Sequence, residues 1–187
     1  MTISEFPKDK KVYLFELDDV LYPKQDFLLQ VYYLFAQFLE FTEARPISAE
    51  MTAFMKDTLL SKGEEAVFAA TAEQFALKEE YRENFERLQV NGHLPLKLFL
   101  FDEIKNLFKE LSASGKQIAV LTKGNPALQL NKLRHIDWEG YDKKLKVYFV
   151  DELAFRDIEP FSYIASENNV NVEDLHFSDT NLTRKKP

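Results

Sequence analysis

Three carboxylates fall within four residues in Glu16-Leu17-Asp18-Asp19. Like charges at that spacing repel unless a cation or a proton lies among them. Val12-Tyr13-Leu14-Phe15, just before them, is an apolar aromatic run preceded by Lys10-Lys11, and it predicts a buried strand that ends at Glu16. Side chains alternate along a strand, so Glu16 and Asp18 point the same way. Two carboxylates on one face can hold Mg2+, or serve as nucleophile and general acid. An acidic strand-to-turn junction facing water is the other reading.

A second chemical cluster ends another apolar run. Val120-Leu121-Thr122-Lys123-Gly124-Asn125-Pro126 puts a hydroxyl, an ammonium and a glycine ahead of a helix start at Pro126. Exposed amides and the helix dipole at such a start favour an anion such as phosphate, and an ordinary turn capped by Asn125 is the alternative. A third run ends in Phe177-Ser178-Asp179-Thr180, where Asp179 is a metal ligand or a turn residue.

Composition narrows the chemistry. The chain has 187 residues, no cysteine and a formal charge of −7. Without cysteine there is no disulfide framework, thiolate zinc site or sulfur nucleophile. His93, His135 and His176 stand far apart, so no metal-binding His pair at helical spacing exists. The acidic balance disfavours nucleic acid, whose phosphates are held by Lys and Arg. The one basic cluster, Arg184-Lys185-Lys186, reads as a solvated tail. No apolar run reaches the ~18 residues that span a bilayer, and the first residues lack the basic and apolar regions of a signal peptide. A cytoplasmic protein is expected.

Elements must carry these clusters to one place. After Pro23, apolar residues at three-to-four spacing predict a helix over 24–42, a second from Ser48 to Gly63, and a third from Glu64 to about Val90. Strands and helices then alternate: helix 101–114, strand 117–121, helix 126–134, strand 146–150, helix 160–168 and strand 175–177. That alternation predicts βαβ units and a parallel sheet. The all-helical block leaves at the carboxyl end of the first strand, where open α/β sheets bind ligands, and is expected to act as a lid over an enclosed small-molecule site.

These residues resemble the haloacid dehalogenase-like (HAD) superfamily, whose best-known members are phosphatases. Phe15-Glu-Leu-Asp-Asp-Val-Leu-Tyr-Pro23 is similar to the first motif, a strand ending Asp-x-Asp. Leu121-Thr-Lys-Gly124 with Gln129 and Lys132-Leu133 resembles the second, and Asp174–Asp179 the fourth. The resemblance implies a Rossmann-like three-layer α/β core over 1–20 and 93–187, with an inserted helical cap over 21–92. It implies Glu16 and Asp18 as the catalytic pair, with Thr122, Lys123, Gly124 and Arg156 binding phosphate. Glu16, Asp18 and Asp179 would hold Mg2+, and the substrate would be a small phosphorylated metabolite. Tyr22, Lys24 and Gln25 sit where the cap begins and are the candidates for substrate specificity. The partners expected are that metabolite and no nucleic acid or membrane, with the chain a monomer or homodimer.

The departures from the motifs bear on activity. Glu16 stands where the family has an Asp nucleophile, which moves the oxygens by roughly one C–C bond, ~1.5 Å. Displacements of ~1 Å can slow a reaction ~100-fold. The third motif's Lys-Pro is replaced by Glu159-Pro160, leaving Arg156 as the nearby cation. Ser178 replaces the fourth motif's Gly, and no second acid follows Asp179. The chain also ends soon after that strand, so a shortened sheet edge is expected. Weakened or lost catalysis follows, and a non-catalytic binding or regulatory protein is the alternative.

Overall fold

The computed structural model describes residues 6–179. In chain order its elements are β1 (Val12–Phe15), α1 (Lys24–Glu43), α2 (Ser48–Lys62), α3 (Val67–Phe75), α4 (Tyr81–Asn91), β2 (Leu98–Phe99), α5 (Asp102–Ala113), β3 (Gln117–Thr122), α6 (Pro126–His135), β4 (Ile136–Asp137), β5 (Lys146–Phe149), α7 (Val150–Phe155), α8 (Pro160–Glu167) and β6 (Leu175–Ser178). They divide into two units. The first holds the chain as far as Lys24, Leu98–Leu130, and the described residues from Ile136 onward; the second holds Gln25–Lys97 and Asn131–His135.

The first unit is α/β. Its four-stranded sheet runs β5-β3-β1-β6, and every pairing is parallel. All four residues of β1 are buried, as expected of a strand covered on both faces. Val12 and Leu14 pack on one face with Leu153 of α7 and Ile164 of α8. Phe15 points the other way and meets Phe108 of α5, ring centroids 5.3 Å apart, and Phe6 stacks on it at 6.0 Å. Helices therefore lie on both faces, giving three layers. The register pairs Phe15 with Val120 and with Ser178, so β1, β3 and β6 end nearly level. A separate two-stranded parallel pair joins β2 to β4.

The second unit is helical, and its core is aromatic. Phe35, Phe68 and Phe85 form a triangle of rings with centroids 5.2 to 6.1 Å apart. Such geometry adds about 0.5–1.5 kcal/mol per pair beyond the area buried. Glu40 reaches the start of α2 and accepts from the Ser48 amide at 2.8 Å. Asn131 closes α4 by donating to the carbonyls of Gln89 and Gly92. His135 accepts from the Leu94 amide through Nε2 at 3.0 Å, so its Nδ1 carries the proton and donates to the Asn131 carbonyl at 2.8 Å.

The third predicted helix, 64–90, is not continuous. Helix α3 ends at Phe75 because Ala76 takes a left-handed conformation (φ 52°, ψ 45°). The Leu77 amide then turns back to the Ala72 carbonyl, a Schellman closure, and α4 begins at Tyr81. Phe75, Tyr81 and Phe85 are all buried, so the apolar period continues across a break with neither Gly nor Pro. Val150 belongs to α7 rather than to the preceding strand. The basic cluster Arg184-Lys185-Lys186 and the sheet edge expected beyond Asp179 lie outside the described residues. No helix among the described residues is long and apolar enough to cross a membrane.

Candidate functional site

The site forms where β1 and β3 end. After Phe15 the chain turns sharply. Asp19 adopts φ 57°, which short polar residues tolerate best, and its amide donates to the Tyr22 carbonyl at 3.0 Å. Its carboxylate accepts from the Lys24 amide at 3.0 Å, at the first residue of α1. The buried Tyr22 hydroxyl donates to Asp18 Oδ1 at 2.9 Å. Two of the three clustered acids thus hold the turn.

At the end of β3, Thr122 is fully buried and Lys123 is exposed. Gly124 sits at φ 111°, a region closed to side chains, although a Cβ would touch only the Gln129 amide at 3.6 Å. Backbone conformation, not space, selects glycine here. Asn125 caps α6, accepting from the Ala127 amide at 2.9 Å, and Pro126 takes the first helical position.

Glu16 joins the two strand ends. Its Oε1 accepts from the Leu17 amide at 2.7 Å and from the Thr122 hydroxyl. Its Oε2 accepts from the Lys123 amide at 3.1 Å. Gln129 sits behind, donating from Nε2 to Thr122 Oγ1 at 2.9 Å and to the Lys123 carbonyl at 2.7 Å. Two backbone amides and one hydroxyl therefore surround a single carboxylate. A cradle of that kind suits an oxyanion. The Leu17 and Lys123 amides left no mark in the sequence because backbone donors belong to every residue; Gln129 was visible only as a motif position.

The remaining predicted residues do not join this cluster. Lys123 contributes its amide, while its ammonium makes no hydrogen bond or ion pair with the described residues. Arg156 lies exposed at the end of α7 and shares no hydrogen bond or ion pair with Glu16, Thr122 or Lys123 among the described residues. Glu159, at the third-motif position, caps α8 by accepting from the Phe161 and Ser162 amides, and those bonds hold its carboxyl below the usual range. Asp179 is exposed just past β6.

Among the described residues the expected ligand set for Mg2+ does not assemble. Among the described residues no three His, Cys, Asp or Glu side chains group as a metal site would. Both Glu16 oxygens face N–H or O–H donors, and Asp18 accepts from Tyr22. Mg2+ needs several oxygens turned toward one octahedral centre, and Glu16, Asp18 and Asp179 do not group in that way among the described residues.

No protein-family model matches the sequence, and no curated protein matches it either. Solved structures do. A candidate beta-phosphoglucomutase from Thermotoga maritima is similar with TM-score 0.52 and 16% identity, over 89% of this chain and 74% of that one. A HAD family hydrolase from Deinococcus radiodurans R1, with bound phosphate and sodium, gives TM-score 0.49 and 16% identity over 91% and 72%. A haloacid dehalogenase-like family hydrolase from Xanthomonas campestris gives TM-score 0.48 and 14% identity over 90% and 72%. Likeness at such identities is one of fold, and the parallel order β5-β3-β1-β6 between layers of helices agrees with it: the chain has the haloacid dehalogenase-like fold.

Proposed function

We propose that this HAD-fold chain carries a phosphatase-type site for a small phosphorylated metabolite and that its catalysis is weakened or lost. One observation supports the reading above the others: a carboxylate stands at the nucleophile position, and the donors suited to phosphoryl oxygens hold it. The Thr122 hydroxyl and the Leu17 and Lys123 amides are the groups that would stabilise charge on a phosphoryl group. Asp18, two residues on, is positioned by Tyr22 and is the group that would exchange a proton with a leaving oxygen. Attack needs a free lone pair on Glu16, and three hydrogen bonds take up three of the carboxylate's roughly four acceptor sites. The same observation favours the second reading, a non-catalytic binding or regulatory protein. A net charge of −7 agrees with a small-molecule partner rather than nucleic acid or a membrane. The proposal places the chain in the cytoplasm, as a monomer or homodimer.

The test is turnover of an aryl phosphate and a metabolite panel by wild type, Glu16→Asp and Asp18→Asn, with and without Mg2+. Slow or absent wild-type turnover, with measurable binding of a phosphate ester, is the expected result. Fast wild-type turnover abolished by Asp18→Asn would remove the weakened-catalysis half of the proposal. No turnover and no ester binding in any of the three proteins would remove the phosphatase-type half.

A further inference from the structure

We propose that the strand-end cradle is self-liganded: the Glu16 carboxylate is its resident anion, and a free oxyanion enters only by displacing it. The inference rests on reading the cradle as an oxyanion site, and it adds what controls access to that site.

The donors are fixed independently of the carboxylate they hold. The Glu16 backbone amide is bonded to the Ser178 carbonyl at 2.9 Å, which sets where the following Leu17 amide can point. Thr122 pairs with Phe149 in the ladder to β5, so Lys123 leaves from a fixed strand end. Gln129 uses its amide nitrogen toward the Lys123 carbonyl, which can only accept, and the same nitrogen donates to Thr122 Oγ1. The Thr122 hydroxyl therefore has its own proton directed at Glu16. Three donors held by the sheet and α6 converge on one small space whatever occupies it, two on one oxygen position and one on the next.

Glu16 is tethered beside that point. A group already attached to the site gives up no translational freedom on binding, whereas a free anion does. Ionic hydrogen bonds of this kind are also stronger than neutral ones. A free carboxylate or phosphoryl group thus competes against an occupant with a large effective concentration. The chain departs from Asp at this position by one methylene, and the longer side chain's carboxylate curls onto the amide of the next residue. Small oxyanions, either planar carboxylates or tetrahedral phosphates, are the class of ligand the vacated cradle takes.

The experiment titrates acetate and inorganic phosphate into wild type, Glu16→Ala and Glu16→Gln, reading the Leu17 and Lys123 amide resonances. The expected result is saturable shifts of both amides in Glu16→Ala, at an anion concentration about tenfold below that needed in wild type. Adding Thr122→Val in that background should remove the gain. Glu16→Gln keeps the side-chain volume without the charge, so it serves if Glu16→Ala does not fold, and it should show the same direction. A folded Glu16→Ala or Glu16→Gln that binds neither anion more tightly than wild type overturns the inference. Acetate binding without phosphate binding keeps the inference and defeats the phosphatase-type reading. Equal phosphate affinity in wild type and both variants defeats the inference and keeps that reading.

Discussion

Gln129 donates to the Thr122 hydroxyl and to the Lys123 carbonyl from one and the same amide nitrogen, at 2.9 and 2.7 Å. This leaves its Oε1 buried with no hydrogen-bond partner among the described residues. An unpaired buried acceptor is destabilising by about 1–3 kcal/mol, so the arrangement is held for its geometry rather than its own stability.

Gln129→Leu removes both donations and the unpaired oxygen together. The losses and the relief partly cancel, and a net destabilisation of about 1 kcal/mol is expected in urea unfolding. Gln129→Glu places a carboxylate against the Lys123 carbonyl and should lower the urea midpoint further than Leu does. A Glu variant as stable as the Leu variant would contradict the assigned orientation of the amide.

Tyr32 gives a prediction of unusual sign. Its ring is fully buried and stacks on Phe85 at 6.0 Å, yet its hydroxyl has no hydrogen-bond partner among the described residues. Burial pushes the phenol pKa well above its ordinary value. Removing a buried unpaired hydroxyl relieves its desolvation. Tyr32→Phe should leave stability unchanged or raise it by about 1 kcal/mol, measured by chemical denaturation, where a bonded buried tyrosine would lose stability.

The C-terminal end of α3 offers a second stabilising change. Ala76 holds φ 52°, and a left-handed L-residue is disfavoured by roughly 1–2 kcal/mol. Glycine takes that conformation freely but is more flexible when unfolded, so Ala76→Gly should stabilise by about 0.5–1 kcal/mol. A thermal melt of the variant beside wild type checks it.

Acid should weaken the sheet in two separate windows. His176 on β6 lies against Phe6, with ring centroids 4.8 Å apart. Burial first, and then the Lys10 ammonium, hold its pKa below the ordinary 6.5, with Asp9 acting the other way. The unfolded chain therefore binds this proton more readily than the folded one. The contribution to stability is whole above 6.5 and is lost as pH falls through the depressed folded value. His176→Phe keeps the edge-to-face ring contact and should flatten stability against pH in that window. Asp174 is held low by its bond from Lys11 and then by the Asn171 amide, so it acts in the same sense only below its ordinary 3.8. Urea midpoints across the acid range would separate the two.

The sequence made some parts of this molecule legible and hid others for physical reasons. The strands β1, β3, β5 and β6 announced themselves as apolar runs bounded by charge, and Asn125-Pro126 marked the start of α6. The break at Ala76 gave no sign, because its cause is a backbone angle on an ordinary residue. Helix α7 starts with Val150, a residue that favours strands, right after one. At the site, Glu16 and Thr122 were both identified, yet their direct bond was not, since it depends on register between strands far apart in sequence. Asp18, Asp19 and Glu159 were legible as acids, and only their local geometry shows them holding a turn, the start of α1 and the start of α8.

The sheet order also sets a timetable. β1 is made before the other described strands and lies between two partners whose residues begin at Gln117 and Leu175. Ribosomes add about 5–20 residues per second, so β1 waits roughly 5–20 s before its first neighbour exists, and longer for its second. During that interval the apolar strand Val12–Phe15 has neither of its sheet partners to pair with. The nascent chain is most open to chaperones, and to mispairing with other copies, before the last described strand has been made.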